Sequence, residues 1–328
     1  MSAYSFSLAG KSDKARIVAF LDANWGEKHP LVHLDDFFCY YYENGERLQF
    51  ALCEENGAIV ALAGYILANK SETPDIWVSI WCAAKGQNGA GLELMSALPD
   101  MTHARVMACN NIREKTTVFY TFLGYTAARL SHFYRLAAQD TYAVAHISDN
   151  TILPVPEGDA LRRIESAAQL QQDYLPDSTL CPYKDLWYLS RRYFAYPRQS
   201  YAVWARYENG RAAQLLVTRT VNVNGTNVLR IVDYIGNPAD FYLLGFGINS
   251  LMQAEHAEYA DCYCHGISAQ CMAKAGFCER ARDSANILPN YLSPVLYENT
   301  EYFFFTTHDT AFTMFKADGD QDRPNILL

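Results

Sequence analysis

Apolar residues return at helical spacing in two stretches near the start of the chain. The first is carried by Ile17, Phe20 and Leu21, with Ser12 as its cap and Trp25-Gly26 closing it; the second runs through Phe37, Phe38 and Tyr41 to Asn44-Gly45. The period then shortens to strand-like runs at 48–53 and 58–67, joined by Glu55-Asn56-Gly57, where Asn-Gly tolerates the positive φ of a tight hairpin. IWVSIWCA (76–83) predicts a third strand, which leads into the glycine-rich KGQNGAG (85–91) and a helix with Leu92, Leu94, Met95 and Leu98 on its apolar positions. A strand at 105–109, a helix at 112–123 ended by Gly124, and a strand pair within 125–136 complete the first half.

Pro154, Pro156 and Gly158 mark a linker, and the order then repeats. Helices at 159–175 and 183–194 precede strands at 201–207, 212–223 and 227–235, joined by Glu208-Asn209-Gly210 and Asn224-Gly225. A helix from 238 to about 259, a strand at 260–265 and a short helix at 268–274 follow, and the aromatics Tyr302, Phe303, Phe304 and Phe305 read as a buried closing strand. The expectation is an α/β (α+β) chain of two domains, 1–150 and 151–328, each a mixed, mainly antiparallel sheet flanked by helices.

Composition agrees with that size and narrows the partners. A chain of 328 residues exceeds the usual single core, and 50% hydrophobic against 19% charged residues is ample to fill two. No apolar run approaches the roughly 20 residues that span a bilayer, and the opening MSAYSFSLAGKSDKAR lacks the pattern of a leader, so a cytoplasmic protein without a membrane span is expected. Nine cysteines, an odd number in apolar surroundings, suit a reducing compartment; Cys262-x-Cys264-His265 has no second pair at zinc spacing, and no metal is expected there. The net charge of −9 with dispersed Lys and Arg leaves no footprint for nucleic acid and favours a small-molecule partner. Oligomeric state is left open.

The glycines between a strand and a helix would expose backbone N–H groups at the positive helix end, an anion cradle made by Gly89, Ala90 and Gly91; a plain flexible turn is the other reading. The loop Trp25-Gly-Glu27-Lys-His29-Pro-Leu-Val-His33-Leu-Asp35-Asp36 concentrates groups that could take a proton or hold a polar ligand. His29 is the first candidate base there, with Trp25, His33 and Asp35 as ligand contacts; alternatively this is a capping loop in which Asp35 caps the second helix. Asp318, Asp320 and Asp322 alternate as in calcium loops but lack the twelfth-position Glu, and Arg323 could lock that turn through a carboxylate pair.

The element order, the glycine-rich turn after the central strand and VFYTFLGY (118–125) together resemble the GNAT acyltransferase superfamily, whose fourth helix ends in FYxxxGF. The resemblance implies acetyl-CoA or another acyl-CoA as co-substrate, held by Trp81, Cys82, Gly89, Ala90 and Gly91, with Tyr120 as the acid that protonates the departing sulfur or, equally, as a core tyrosine. Gly86 stands where the superfamily pattern has Arg or Gln. In the second half Met272 occupies the acid's position and Ile235-Gly236-Asn237-Pro238 lacks a glycine cradle, so that half would shape a substrate cleft or a partner surface. NWGEKHPL (24–31), DIWVSIW (75–81), GLELMSAL (91–98), LRIVDYIG (229–236), PNYLSP (289–294) and FKADGDQDRPN (315–325) resemble a narrower set of bacterial GNAT-like proteins of surface-polysaccharide biosynthesis, which implies an amino-sugar acceptor. A Fem-type aminoacyl transferase, which pairs two such folds, would want a basic groove; a degenerate sugar-binding or scaffold subunit is the non-enzymatic alternative.

Overall fold

The computed structural model describes residues 4–308 and 310–326. Strand β1 (Ser5–Gly10) opens the chain, followed by a single 3₁₀ turn, Lys11–Asp13, and helix α1 (Lys14–Asn24). Ser12 therefore lies inside the turn and does not cap the helix, because Asp13 accepts the Gly10 N–H at 3.0 Å and starts the turn earlier. Helix α2 (Pro30–His33) is a single turn, and α3 (Asp35–Tyr42) begins at Asp35, which pairs with Lys14 instead of capping. Strands β2 (Glu43–Asn44), β3 (Arg47–Glu55), β4 (Ala58–Leu67) and β5 (Asp75–Ala83) follow, with Asn56 and Gly57 both at positive φ in the hairpin turn. Helix α4 (Asn88–Thr102), strand β6 (Val106–Ile112) and helix α5 (Thr117–Phe122) lead to β7 (Thr126–Arg129) and β8 (Ser131–Leu136).

Strands β7 and β8 are not the hairpin pair that the sequence suggests. No Gly, Pro or Asn interrupts 126–136, so the chain runs straight on through buried Leu130, and β7 belongs to one sheet while β8 belongs to the other. Beyond the linker come β9 (Arg162–Ile164), α6 (Ala167–Asp173), α7 (Leu186–Phe194), β10 (Ala202–Glu208), β11 (Arg211–Val223) and β12 (Thr226–Ile235). The helix expected over 159–175 is shortened to α6 because the chain first adds β9 to the edge of β10, and Ser166 then caps the helix by accepting the Gln169 N–H. The helix expected from 238 resolves into a 3₁₀ segment, Pro238–Leu244, and α8 (Gly245–Ala254), before β13 (Ala257–His265), α9 (Ala269–Lys274) and β14 (Cys278–Glu279). Strands β15 (Phe303–Thr306) and β16 (Met314–Phe315) lie near the chain end.

The two sheets have the same plan. The first runs β1-β3-β4-β5-β6-β15-β7 and the second, read from the matching edge, β9-β10-β11-β12-β13-β8-β14; only β5/β6 and β12/β13 are parallel among these neighbours. Each sheet thus takes its sixth strand from the other half of the chain: β8 pairs with β13, and β15 lies between β6 and β7. The closing aromatic strand forms as expected, with Phe304 and Phe305 fully buried, but in the first sheet. Both faces of β3, β4 and β12 are covered, which is why their sequences read as continuous apolar runs. Gly64 is required in β4, since a side chain there would meet the Phe50 ring at 2.9 Å.

Candidate active site

In both sheets the central parallel pair parts. β5 follows β6 only from Asp75–Val106 to Trp77–Ala108, and β12 follows β13 only as far as Ile231–Cys262. A one-residue bulge sits beside each parting, at Ser79 in β5 and Val232 in β12. Beyond the parting the two strands no longer bond each other, which leaves backbone groups free to take another partner, the raw material of a binding cleft.

The second cleft is filled by the chain's own tail. β16 pairs antiparallel with β13 at Cys264 and His265, and the Ala317 N–H donates to Val232 O at 2.9 Å. Asp318 accepts the Phe315 N–H at 2.8 Å and also pairs with Lys184 at 2.6 Å, while Lys184 lies 2.7 Å from Asp233. Burial alone would lower the Lys184 pKa, but the two carboxylates outweigh it and hold the amine charged; burial raises Asp318 to about 6. In the neighbouring turn Asn237 caps the Ala239 N–H at 3.1 Å and Pro238 has no N–H, so no anion cradle exists there. Met272 is packed in the core of this half.

At the first cleft the tail meets β6 through side chains: Asn110 donates to Phe315 O at 3.0 Å and to Lys316 O at 3.3 Å, and Asn111 to Gln321 at 3.1 Å. Among the described residues no loop or tail segment forms a backbone hydrogen bond to the stretch 78–83 of β5. At the end of β5 the turn passes through Gly86 at φ +85° into α4, whose N-cap residue, Gln87, makes no capping side-chain bond. Space around Gly89 is open, since nothing lies within 4 Å of an added Cβ, while Ala90 is buried. Gly91 has a different role: its N–H is committed to Gln87 O at 3.2 Å, and an added Cβ would come within 3.2 Å of Ala83 Cβ and 3.3 Å of Trp81 Nε1. Trp81 donates to Gly91 O at 3.1 Å and so ties strand to helix; Cys82 is buried, which pushes its thiol pKa up to about 11.

Tyr120 stacks on Phe305 with ring centroids 4.1 Å apart and stands 5.8 Å from Trp81. Its ring is 4% exposed and its hydroxyl has no hydrogen-bond partner among the described residues; burial raises its pKa, so the phenol stays protonated at neutral pH. The partner ring Phe305 comes from β15, so the setting of Tyr120 depends on the exchanged strand.

A separate cavity of about 830 Å³ lies where the two halves and the tail meet. Trp25 and His29 line it, whereas His33 and Asp35 are engaged elsewhere, with Asp22 at 2.7 Å and Lys14 at 3.4 Å. His29 accepts the Leu31 N–H at 3.3 Å, and burial pushes its pKa down to about 4, so it is neutral at physiological pH. Gly89, Gly91, Trp81, Cys82 and Tyr120 do not line this cavity, so the expected site residues divide between the two places.

Sequence reasoning assigned no role to Arg219, Arg230 and Lys316, which also line the cavity. Arg219 pairs with Asp322 at 2.9 Å, and Arg230 reaches Asp261 at 3.2 Å. Burial alone would raise Asp322, but Arg219 and Lys316 outweigh it and hold the carboxyl at about 2. Arg323 closes the tail turn on Asp320 at 2.5 Å, the lock that the sequence suggested; among the described residues no cluster suited to a metal ion occurs. The signal was present as charged residues inside apolar strings, Arg230 in LRIVDYIG and Lys316 in MFKAD. Four of the strings that carry the narrower resemblance, 24–31, 229–236, 289–294 and 315–325, converge on this cavity.

No family model matches the sequence, and comparison with curated proteins finds no match. Solved structures do match. A GCN5-related N-acetyltransferase from Anabaena variabilis ATCC 29413 is similar at a TM-score of 0.50 and 10% identity, over 92% of this chain and 72% of that one. A conserved protein of unknown function from Enterococcus faecalis V583, named a probable N-acyltransferase, is similar at a TM-score of 0.54 and 11% identity, over 93% and 72% of the two chains. At such identity the likeness shows the fold: this chain has the two-sheet GNAT-type architecture of those proteins. No helix among the described residues is long and apolar enough to cross a membrane.

Proposed function

We propose that the protein is an acyl-CoA-dependent N-acyltransferase whose donor binds in the first sheet. The observation that carries this reading is the parting of β5 from β6 beside an uncapped glycine turn, in a molecule whose second parting is closed by its own tail. Under this reading the amides of Gly89 and Ala90 receive the pyrophosphate at the positive end of α4, and Gly91 allows Trp81 to pack against that turn. The free edge of β5 offers backbone donors to the thioester carbonyl.

The reaction assigns each proton. The acceptor amine attacks the thioester carbon, a C–N bond forms and the C–S bond breaks. The sulfur leaves with the Tyr120 hydroxyl proton, the amine's proton passes to solvent, and solvent reprotonates Tyr120; His29, neutral at pH 7, lines the separate cavity and is given no proton in this step. For the acceptor, the reading favours an amino sugar of the surface-polysaccharide kind; Trp25, Tyr291 and Tyr302 at the cavity supply faces and edges against which a sugar ring can pack.

Calorimetric titration of the intact protein with acetyl-CoA and with a longer acyl-CoA tests the donor. Gly89→Trp fills the turn without meeting neighbouring atoms at its Cβ. Micromolar binding that this variant removes is the expected result. Absence of binding at millimolar ligand would overturn the acyltransferase reading in favour of a sugar-binding subunit.

A further inference from the structure

Three groups of the interdomain cavity come from three different elements: Arg219 from β11, Arg230 from β12 and Lys316 from the tail beyond β16. Both arginines have a carboxylate partner, Asp322 and Asp261. Lys316 has none. Its Nζ bonds the side-chain oxygen of Asn290, a neutral amide that also accepts from Arg230 at 3.2 Å and donates to Tyr302 at 2.6 Å. The residue is 8% exposed, yet it lines the cavity, and its amine lies 5.5 Å from the rings of both Tyr263 and Tyr302.

Burying an amine beside a guanidinium without a counter-ion is unfavourable, and a fold that needed only packing there would use an apolar side chain. The charged groups around it are Arg230, Arg219, Asp261 and Asp322; each of those carboxylates is already paired with an arginine. We infer that the cavity is a binding site for an anionic ligand, whose phosphate- or carboxylate-type oxyanion takes the vacant counter-ion position beside Lys316, with Arg219 and Arg230 flanking it. Cations on separate elements suit a multi-oxygen anion better than a single surface contact would. The binding claim is independent of acyl transfer; that the ligand is the acceptor rests on the reading above.

The linkage follows from the free state. Burial, then Arg230, lowers the Lys316 pKa to about 7, so near neutral pH a substantial fraction of molecules carries the amine uncharged. An arriving anion favours the charged form, and binding takes up a proton between pH 7 and 9. Asp261 and Asp322 stay ionised in that range, held low by their arginines.

The test is calorimetry of the intact protein at low salt with inorganic pyrophosphate and, separately, citrate, in buffers of different ionisation enthalpy. Binding of at least one probe with proton uptake is expected: pyrophosphate alone identifies a phosphate-bearing ligand, citrate alone a carboxylate-bearing one. Lys316→Met should weaken binding at least tenfold and abolish proton uptake without lowering the thermal midpoint. Lys316→Arg should keep binding but lose the uptake. Gly89→Trp should leave the proton uptake unchanged with whichever probe binds, which separates this site from the donor turn. Absence of binding by either probe, proton uptake indifferent to Lys316→Met, or loss of that uptake in Gly89→Trp would overturn the inference.

Discussion

The two partings of strands differ first in what occupies them. In the second sheet the tail supplies a strand to β13 and an N–H to Val232, and a buried lysine between two aspartates fixes it there. In the first sheet the equivalent backbone of β5 receives no such segment among the described residues, and the helix that starts beside it is left without a side-chain cap. Identical topology therefore yields a candidate binding cleft in one half and packed interior in the other. What separates them is which segment of chain lies in the opening, together with the Asn237-Pro238 cap and the apolar Met272 in the filled half.

Removing the filling should have the largest effect. Phe315→Ala takes a fully buried ring from the second cleft and should lower unfolding free energy by about 3–5 kcal/mol in chemical denaturation. At a permissive temperature acetyl-CoA affinity should be unchanged; a parallel loss of affinity would break the separation between the clefts. Tyr120→Phe addresses the open one. Once an acceptor is found, kcat should fall by roughly 10²-fold or more with KM little altered, because only the transition state uses that proton. Thermal stability should hold, since no described residue bonds the hydroxyl, and Met272→Leu should leave kcat unchanged.

Paired glycine changes sharpen the same contrast. Gly91→Val pushes a branched side chain against Ala83 and Trp81 and should weaken acetyl-CoA binding about tenfold or more, at a stability cost of about 1–3 kcal/mol. Gly236→Ala in the second half puts a Cβ within 2.7 Å of the Tyr234 hydroxyl; it should cost similar stability and leave CoA binding intact. The smallest effect concerns pH. The Asp318 pKa is raised to about 6 from an unfolded value near 3.8, so between those values the folded state binds the extra proton, and this group's contribution grows as pH falls and is lost as pH rises through 6. Asp318→Asn should remove that part of the slope between pH 4 and 7, and the amine of Lys184 keeps a counter-ion because it retains Asp233. A large loss of stability in the variant at pH 7, where the wild-type carboxyl is ionised, would show that the filling depends on the ionised carboxylate.

Local chemistry alone determined much of this protein. The Asn-Gly pairs at 56–57, 209–210 and 224–225 dictated three hairpins, each with both residues at positive φ, because few other dipeptides adopt that turn without strain. Apolar periodicity located α1, α3, α4, β3 to β5 and β10 to β12, and their repeated order announced two similar halves. The glycine turn and Tyr120 were legible as candidate chemistry because residue type and spacing carry that signal. Tertiary structure alone decided the rest. The exchange of β8 and β15 leaves no local trace, since an extended apolar strand satisfies its backbone equally well in either sheet. The same holds for the filled cleft: MFKAD reads as an ordinary strand end, and only the fold places Ala317 against Val232 and Lys184 against Asp318. Arg219, Arg230 and Lys316 are separated by up to about a hundred positions, and their convergence with Trp25 and His29 is a consequence of packing two sheets around one tail. Their burial sets the charge of Lys316, and burial is a property that no residue carries by itself.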